Sequence, residues 1–182
     1  LRHHPSVIAL REKIQSDQKE TKTEVDLTYI AARGHWYLRS WKGIEDKSGG
    51  IATNIGIHFF DMLHFIFGEL QENILHYRNT TKAAGYLEYE HARVRWFLSI
   101  DVNDLPEIAR SENQNTFRSI THDGIEIDFS GGLDDLHTSC YKQILAGDGY
   151  GLEDNRTAVE TVSEIRTAKP IGIKGESHPF LK

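Results

Sequence analysis

Three polar residues interrupt an apolar stretch of this sequence at spacings that suit acid–base chemistry. Asn54, His58 and Asp61 lie between Ser48 and Gly68, among apolar residues that are too dense for a surface helix. At about 100° per residue, the three side chains fall within about 60° of one another on a helix. Burying an amide, an imidazole and a carboxylate costs several kcal/mol unless each is hydrogen-bonded. The polar stripe is therefore either a closed structural network or the wall of a ligand cavity.

His58 is the candidate for proton transfer in this stripe, because an imidazole changes its charge near neutral pH. A histidine that completes the core is the alternative on the residue pattern alone. We expect no metal site, since His64 lies about 120° from His58 on the helix and catalytic zinc needs three convergent ligands. Cys140 has no recognisable partner, so nucleophilic catalysis is not supported. Gly49-Gly50 does not form a Gly-x-Gly-x-x-Gly phosphate loop.

The flanking residues predict the elements that position this stripe. Two glycines open the stretch 48–68 and one closes it, which predicts a turn leading into a mostly buried helix of about four turns. Apolar periodicity predicts strands over 24–32, 74–77, 83–89, 92–100, 117–121 and 125–129, and helices over 5–16, 136–145 and 152–168. Asp123-Gly124 is a hairpin signal. We predict an α+β domain, with one open, mainly antiparallel sheet of five to six strands and helices on one face.

Composition limits the class of protein. The 182 residues suit one domain, and a formal net charge of -6 argues against a nucleic-acid partner. The single cysteine excludes an internal disulfide and favours a cytoplasmic location. The most apolar run, 55–67, contains two histidines and an aspartate and is too short to span a bilayer, so no membrane is expected as a partner.

A second group of candidate residues lies in the segment 33–43, which combines three aromatic residues with Arg33, Arg39 and Lys42. We interpret the segment as a loop. Such a composition suits a wall that stacks on and pairs with an anionic ligand. The alternative is a loop held in place by its tryptophans, with cations that are only solvated.

The stretch from Ser48 to Asp61 resembles the second signature of the Gfo/Idh/MocA oxidoreductases. It reads Ser-Gly-Gly-x-x-x-Asn-x-Gly-x-His-x-x-Asp, where the family usually has Gly-Gly-Gly-x-x-x-Asp-x-Gly-x-His-x-x-Asp. Further stretches resemble the WlbA/WbpB-type branch, which oxidises UDP-N-acetylglucosaminuronate at C3 in lipopolysaccharide sugar synthesis. These stretches are Leu1-Arg2-x-His4-Pro5, Gly34-x-Trp36-Tyr37-x-x-Ser40-Trp41-Lys42-Gly43, Ser130-Gly131-Gly132-x-x-Asp135-Leu136-His137 and Gly151-Leu152-Glu153-Asp154.

The resemblance implies a two-domain, NAD-dependent enzyme. Residues 1–182 would form its substrate-binding and oligomerisation domain, and a dinucleotide-binding domain carrying a Glu-Lys-Pro lysine would precede Leu1, where the sequence begins without Met. The fragment alone would then bind NAD poorly and be inactive. A free-standing, non-catalytic domain that binds a sugar or a partner is the alternative.

The resemblance also implies roles for single residues. His58 would be the base that removes the hydroxyl proton, and Asn54, where many members have Asp, would hydrogen-bond to the sugar or to His58. Asp61 would orient His58 or contact substrate, with a structural hydrogen bond as the alternative. The residues assigned to the nucleotide-sugar substrate are Arg33, Tyr37, Lys42, Gly50 and Asp61, the cations addressing its carboxylate or diphosphate.

The sheet face away from the helices is a candidate homo-oligomer interface. The strand 92–100 places Arg93, Arg95, Phe97 and Ser99 on that face, a mixture of cations and aromatics that interfaces favour. In a two-fold contact an arginine of this strand would meet Glu88 of the partner. The alternative is a solvated face, as antiparallel sheets often have.

Overall fold

The computed structural model describes residues 1–17, 21–127 and 135–181. Within these ranges it has one six-stranded sheet in the order β2-β3-β4-β1-β5-β6. The strands are β1 (Thr23–Ala31), β2 (Leu70–Arg78), β3 (Lys82–Tyr89), β4 (Ala92–Ser99), β5 (Thr116–His122) and β6 (Ile125–Glu126). β1 pairs in parallel with β4, and the other pairings are antiparallel. The predicted α+β class and mainly antiparallel sheet are confirmed.

Three helices pack on one face of the sheet: α1 (Pro5–Ser16), α4 (Ile57–Phe67) and α7 (Leu152–Thr167). α4 supplies most of the core on the helix side, because six of its eleven residues are buried. The Phe60 ring meets the fully buried Trp96 of β4 edge to face, with the ring centroids 5.2 Å apart. The sheet and α4 therefore form one continuous hydrophobic core, which fixes the position of the polar stripe.

The turn predicted at Gly49-Gly50 and the helix predicted after it are both present, and the first half of that helix contains a π-helical turn. A short helix α3 (Glu45–Ser48) ends at Gly49, whose φ of +75° is a left-handed conformation that favours glycine. A π-helical turn (Ala52–Gly56) then leads into α4. At Gly56 a Cβ would lie 2.7 Å from the Phe60 ring and 2.8 Å from Leu98, so only glycine allows this close approach to β4.

The opposite face of the sheet is partly covered, which corrects the predicted interface. Phe97 is 1% exposed, because His178 of the C-terminal segment stacks on it and Phe180 contacts it with a tilted ring, at centroid distances of 5.7 and 5.8 Å. Burial lowers the pKa of His178 to about 4, and its Nε2 lies 3.1 Å from the hydroxyl of Thr28. A short helix, α5 (Glu107–Ser111), adds to this second small core. Phe97 is therefore not a surface residue.

The charged residues of this face are paired within the chain. Arg95 makes a bidentate pair with Asp26, with N–O distances of 2.6 and 2.7 Å. Glu88 accepts hydrogen bonds from Lys22 and from the hydroxyl of Tyr86. An arginine meeting Glu88 of a partner, as the sequence predicts, would have to replace these bonds.

The remaining elements follow the predictions closely. Asp123 and Gly124 have φ values of +49° and +78°, which confirms the hairpin between β5 and β6. α6 (Leu136–Ala146) and α7 begin at the predicted residues. Residues 128–134, which contain the end of one predicted strand and part of one quoted motif, lie outside the described residues.

One segment, Glu45–Phe67, is long and apolar enough to cross a membrane by length and composition. Half of that window is buried inside the fold, as expected for the core helix of a soluble domain. This segment therefore gives only weak evidence for a membrane.

Candidate functional site

Two residues of the polar stripe, Asn54 and His58, face a cavity of about 610 Å³ between α4, β1, β5 and α6. Its polar wall is formed by Arg33, Asn54, His58 and Arg118. Aromatic and aliphatic side chains from α4 and the sheet form the rest, including Tyr29 and Phe59, whose ring centroids are 4.9 Å apart. A few convergent polar groups on an apolar surface are typical of small-molecule sites. A second cavity, of about 190 Å³ near Thr23 and His122, contains none of the predicted site residues.

His58 projects from the first turn of α4 into this cavity and is solvent-exposed at the residue level. Partial desolvation by the cavity walls lowers its pKa, the charge of the Leu1 amino group acts in the same direction, and Asp61 opposes both. In a chain where Leu1 is preceded by another residue, that amino group is an uncharged amide and the desolvation remains. The imidazole is therefore neutral at pH 7 and able to accept a proton.

Asn54 lies in the π-helical turn, one turn before His58, and its orientation is set by Tyr37. The Asn54 Nδ2 donates to the Tyr37 hydroxyl over 2.6 Å, and Tyr37 is 3% exposed. Tyr37 was assigned to the substrate, but its burial makes it a positioning residue for Asn54. π-helical turns are rare and occur frequently at functional sites.

Asp61 does not line this cavity. Both its carboxylate oxygens accept hydrogen bonds from Arg2, over 3.0 Å from Nε and 2.6 Å from Nη2. Arg2 is 7% exposed, donates to the backbone carbonyl of Asp154, and lies over the Tyr150 ring at 4.6 Å. Asp61 therefore anchors the N-terminal segment on α4 and α7, which favours the structural alternative for this residue.

The other predicted substrate contacts are separated as well. Lys42 and Gly50 border a different pocket of about 50 Å³, too small for a sugar, together with Tyr37. The segment 33–43 is not a loop but consists mainly of α2 (His35–Arg39) and a 3-10 helix (Trp41–Gly43), and this turns Lys42 away from Arg33. Of the two cations assigned to the substrate, only Arg33 lines the large cavity.

Tyr29 and Arg118 are among the cavity residues that sequence reasoning missed. They lie opposite each other in the pairing of β1 with β5, and the Arg118 guanidinium is 5.5 Å from the Tyr29 ring centroid. Arg118 alternates with the apolar Phe117 and shares its face with the buried Ile120. A cation on the inner face of a predicted strand was the signal that could have identified the site.

No group of three His, Cys, Asp or Glu side chains among the described residues is placed to hold a metal ion. His137 and Cys140 of α6 border the cavity, but they form no such group with His58. The arrangement instead combines a neutral imidazole, an amide and two guanidinium groups, which can accept a proton and bind an anionic molecule.

The polar stripe lies in a part of the chain that matches a known family model. Residues 19–115 match the family model described as "Oxidoreductase family, C-terminal alpha/beta domain" of Gfo/Idh/MocA proteins, which is more than half of the chain. The chain belongs to the Gfo/Idh/MocA oxidoreductase family. The matched range contains Arg33, Asn54 and His58 but ends before Arg118.

Solved structures give the same family and a closer likeness. The WlbA (WbpB) dehydrogenase from Thermus thermophilus, in complex with NAD and α-ketoglutarate, is 49% identical over 100% of this chain, with a TM-score of 0.93. The same enzyme in complex with NAD and UDP-GlcNAcA is matched over 99% of this chain, with a TM-score of 0.91. This chain spans 58% of the length of those proteins. A WlbA dehydrogenase from Bordetella pertussis is 14% identical over 95% of this chain and 62% of its own, with a TM-score of 0.65, and shares the fold.

Proposed function

We propose that this chain is the substrate-binding and oligomerisation domain of an NAD-dependent dehydrogenase that oxidises a sugar hydroxyl, C3 of UDP-N-acetylglucosaminuronate, in lipopolysaccharide sugar synthesis. The observation that carries the proposal is His58, a neutral imidazole in a cavity it shares with Asn54 and Arg33. The 49% identity to dehydrogenases crystallised with NAD and UDP-GlcNAcA supports the choice of cofactor and substrate.

His58 acts in this proposal as the general base. Its lowered pKa keeps the imidazole neutral, so it takes the proton of the C3 hydroxyl as the carbon is oxidised. The Asn54 amide, held by Tyr37 through its Nδ2, keeps its carbonyl oxygen free to accept a hydrogen bond from a sugar hydroxyl or from His58. Arg33 sits at the rim of the cavity, where its charge attracts the diphosphate or the carboxylate.

The residues of this chain do not fit a whole dinucleotide. The sequence contains no Gly-x-Gly-x-x-Gly, the turn between a strand and a helix whose backbone N–H groups hold a pyrophosphate. In this proposal NAD is bound mainly by a dinucleotide-binding domain ahead of Leu1. The chemistry that NAD supplies when bound is acceptance of a hydride, whereas this chain supplies the base and the binding groups for the sugar.

An assay of the full-length protein tests the proposal. With NAD and UDP-N-acetylglucosaminuronate we expect formation of NADH and of a 3-keto sugar, and no NADH without the sugar. Calorimetry should detect no micromolar binding of NAD to residues 1–182 alone. Full-length protein that binds both molecules but forms no NADH would favour a non-catalytic binding domain.

We further propose that the enzyme is a cytoplasmic homo-oligomer that associates through the part of the open sheet face left uncovered by the C-terminal segment. Support comes from Arg93 and Glu24, whose side chains are 49% and 48% exposed there. Light scattering is the test. We expect a dimer or larger at about 100 μM protein that dissociates in Arg93→Glu, and a monomeric wild-type protein would contradict it.

A further inference from the structure

Arg118 is the feature of the cavity that the proposed function leaves unexplained. It lies in the middle of β5, with its guanidinium over the Tyr29 ring at 5.5 Å, and the Tyr29 ring also contacts Phe59 at a centroid distance of 4.9 Å. Its Nε is buried and has no hydrogen-bond partner. A buried donor of this kind without a partner costs roughly 1–3 kcal/mol, more when charged. The chain maintains this cost at the wall of the cavity that also contains Asn54 and His58.

Two other arginines with low exposure in the described part of the chain have acidic partners. Arg2 pairs with Asp61, and Arg95 pairs with Asp26. Arg11 also has a buried Nε without a partner, but it lies over the Phe65 ring beside two glutamates, Glu69 and Glu90, and outside the cavity. Arg118 therefore stands out by its position, since no acidic residue among those described borders the cavity with it.

We propose that Arg118 is the specificity-determining residue that binds the carboxylate of the sugar acid, an inference that rests on the proposed function. The contact with the Tyr29 ring restrains the guanidinium, whose two terminal Nη groups can form two hydrogen bonds with a carboxylate. A neutral sugar in the same cavity leaves the Arg118 charge without a partner. Neutral nucleotide sugars therefore bind more weakly, because they cannot form the hydrogen bonds that Arg118 makes with a carboxylate. The loss of such a bond discriminates between ligands more strongly than shape does.

Calorimetry on the 182-residue chain tests this with two ligands. UDP-N-acetylglucosaminuronate carries a carboxylate and a diphosphate, and UDP-N-acetylglucosamine carries only the diphosphate. The variants are Arg118→Gln, Arg118→Lys and, as a matched control, Arg110→Gln, an exposed arginine of α5 that borders no cavity described above. Thermal melting of each variant confirms that it is folded.

We expect wild type and Arg110→Gln to bind the acid about 10- to 100-fold more tightly than the neutral sugar, the range for a charge-assisted bidentate contact. Arg118→Gln should lose this preference without weaker binding of the neutral sugar. Arg118→Lys keeps the positive charge but cannot form two parallel hydrogen bonds, so it should retain only part of the preference for the acid over the neutral sugar. If Arg118→Gln does not fold, the Arg118→Lys variant still tests the proposal.

Other outcomes overturn the assignment in distinguishable ways. If Arg118→Gln weakens both ligands equally, Arg118 binds the diphosphate. If it changes neither, or if Arg118→Lys keeps the full preference, the residue does not recognise the carboxylate. In these cases the proposed function stands. Wild-type protein that binds neither ligand at millimolar concentration would count against both proposals.

Discussion

The two faces of the sheet differ in what their charged residues do. On the face away from α4, Arg95 is paired with Asp26 and Lys22 with Glu88. On the helix face, Arg33 and Arg118 border a cavity and have no acidic partner among the described residues. Paired charges stabilise one conformation of the chain, whereas unpaired charges in a cavity are available to a ligand. The difference separates the structural face from the functional face more clearly than residue type does.

The same contrast divides the polar stripe of the central helix. Asn54 and His58 face the cavity, whereas Asp61 faces Arg2 and closes an ion pair. A motif of three polar residues therefore combines two functional positions with one structural position. Substitutions on the two sides of this division should affect different measurements.

The largest effect is expected at His58. His58→Asn in the full-length enzyme should lower kcat by about 10²- to 10⁴-fold, the usual contribution of a general base. Since the base must be neutral, wild-type kcat/KM should rise with pH and level off, with a midpoint below the ordinary histidine pKa of about 6.5 that burial lowers here. This rise of kcat/KM with pH should be absent in His58→Asn. His91→Asn, an exposed histidine outside the cavity, is the control. An unchanged pH profile in His58→Asn would contradict the assignment.

Asp61→Asn should affect stability far more than turnover. Removing the carboxylate leaves the buried Arg2 charge without its main partner, which should lower the free energy of unfolding by about 2–4 kcal/mol. Urea unfolding measures this, and Glu153→Gln, in the exposed Glu153–Arg156 pair, should leave the unfolding midpoint nearly unchanged. If Asp61→Asn has normal stability and a raised KM, Asp61 contacts the substrate.

On the opposite face, Asp26→Asn should lower the free energy of unfolding by about 1–2 kcal/mol, because a bidentate pair that is about 30% exposed is lost. The neighbouring Glu24→Gln breaks a longer, more exposed contact of 3.4 Å and should be nearly neutral. Neither variant should change KM. A KM change in Asp26→Asn would mean that the two faces are not functionally separate.

The smallest effect separates two cations of the segment 33–43. Arg33→Ala should raise KM by about two- to fivefold with little change in kcat, since an exposed charge contributes up to about 1 kcal/mol. Lys42→Ala should leave both constants unchanged, because Lys42 borders a separate pocket. Equal effects of the two substitutions would place Lys42 at the substrate.

Much of the fold could be predicted from the sequence because its patterns are local. Apolar alternation located all six strands, and Asp123-Gly124 fixed the hairpin between the last two. The parallel pairing of β1 with β4 was not predictable from these patterns, since it joins segments about 70 residues apart. The cover over Phe97 also depends on a distant segment, the C-terminal residues His178 and Phe180.

The candidate site was only partly predictable for the same reason. His58 and Asn54 could be found because a polar stripe in an apolar helix is a local anomaly. The partner of Asp61 is Arg2, 59 residues earlier in the chain, and a helical wheel contains no such information. Arg118 reaches the cavity only through the pairing of β5 with β1. The spacing of 100° per residue also gives wrong side-chain directions across a π-helical turn, and the sequence contains no signal that predicts such a turn.

The comparison of the two faces is tested most directly by NMR on this 20.8-kDa chain. UDP-N-acetylglucosaminuronate is titrated into isotope-labelled protein, and shifts are followed at each assigned backbone and side-chain amide. The account predicts the largest changes at Arg33, Asn54, His58 and Arg118, with Asp26 and Arg95 unaffected. Changes concentrated on the Asp26–Arg95 face, with His58 and Arg118 unmoved, would contradict it.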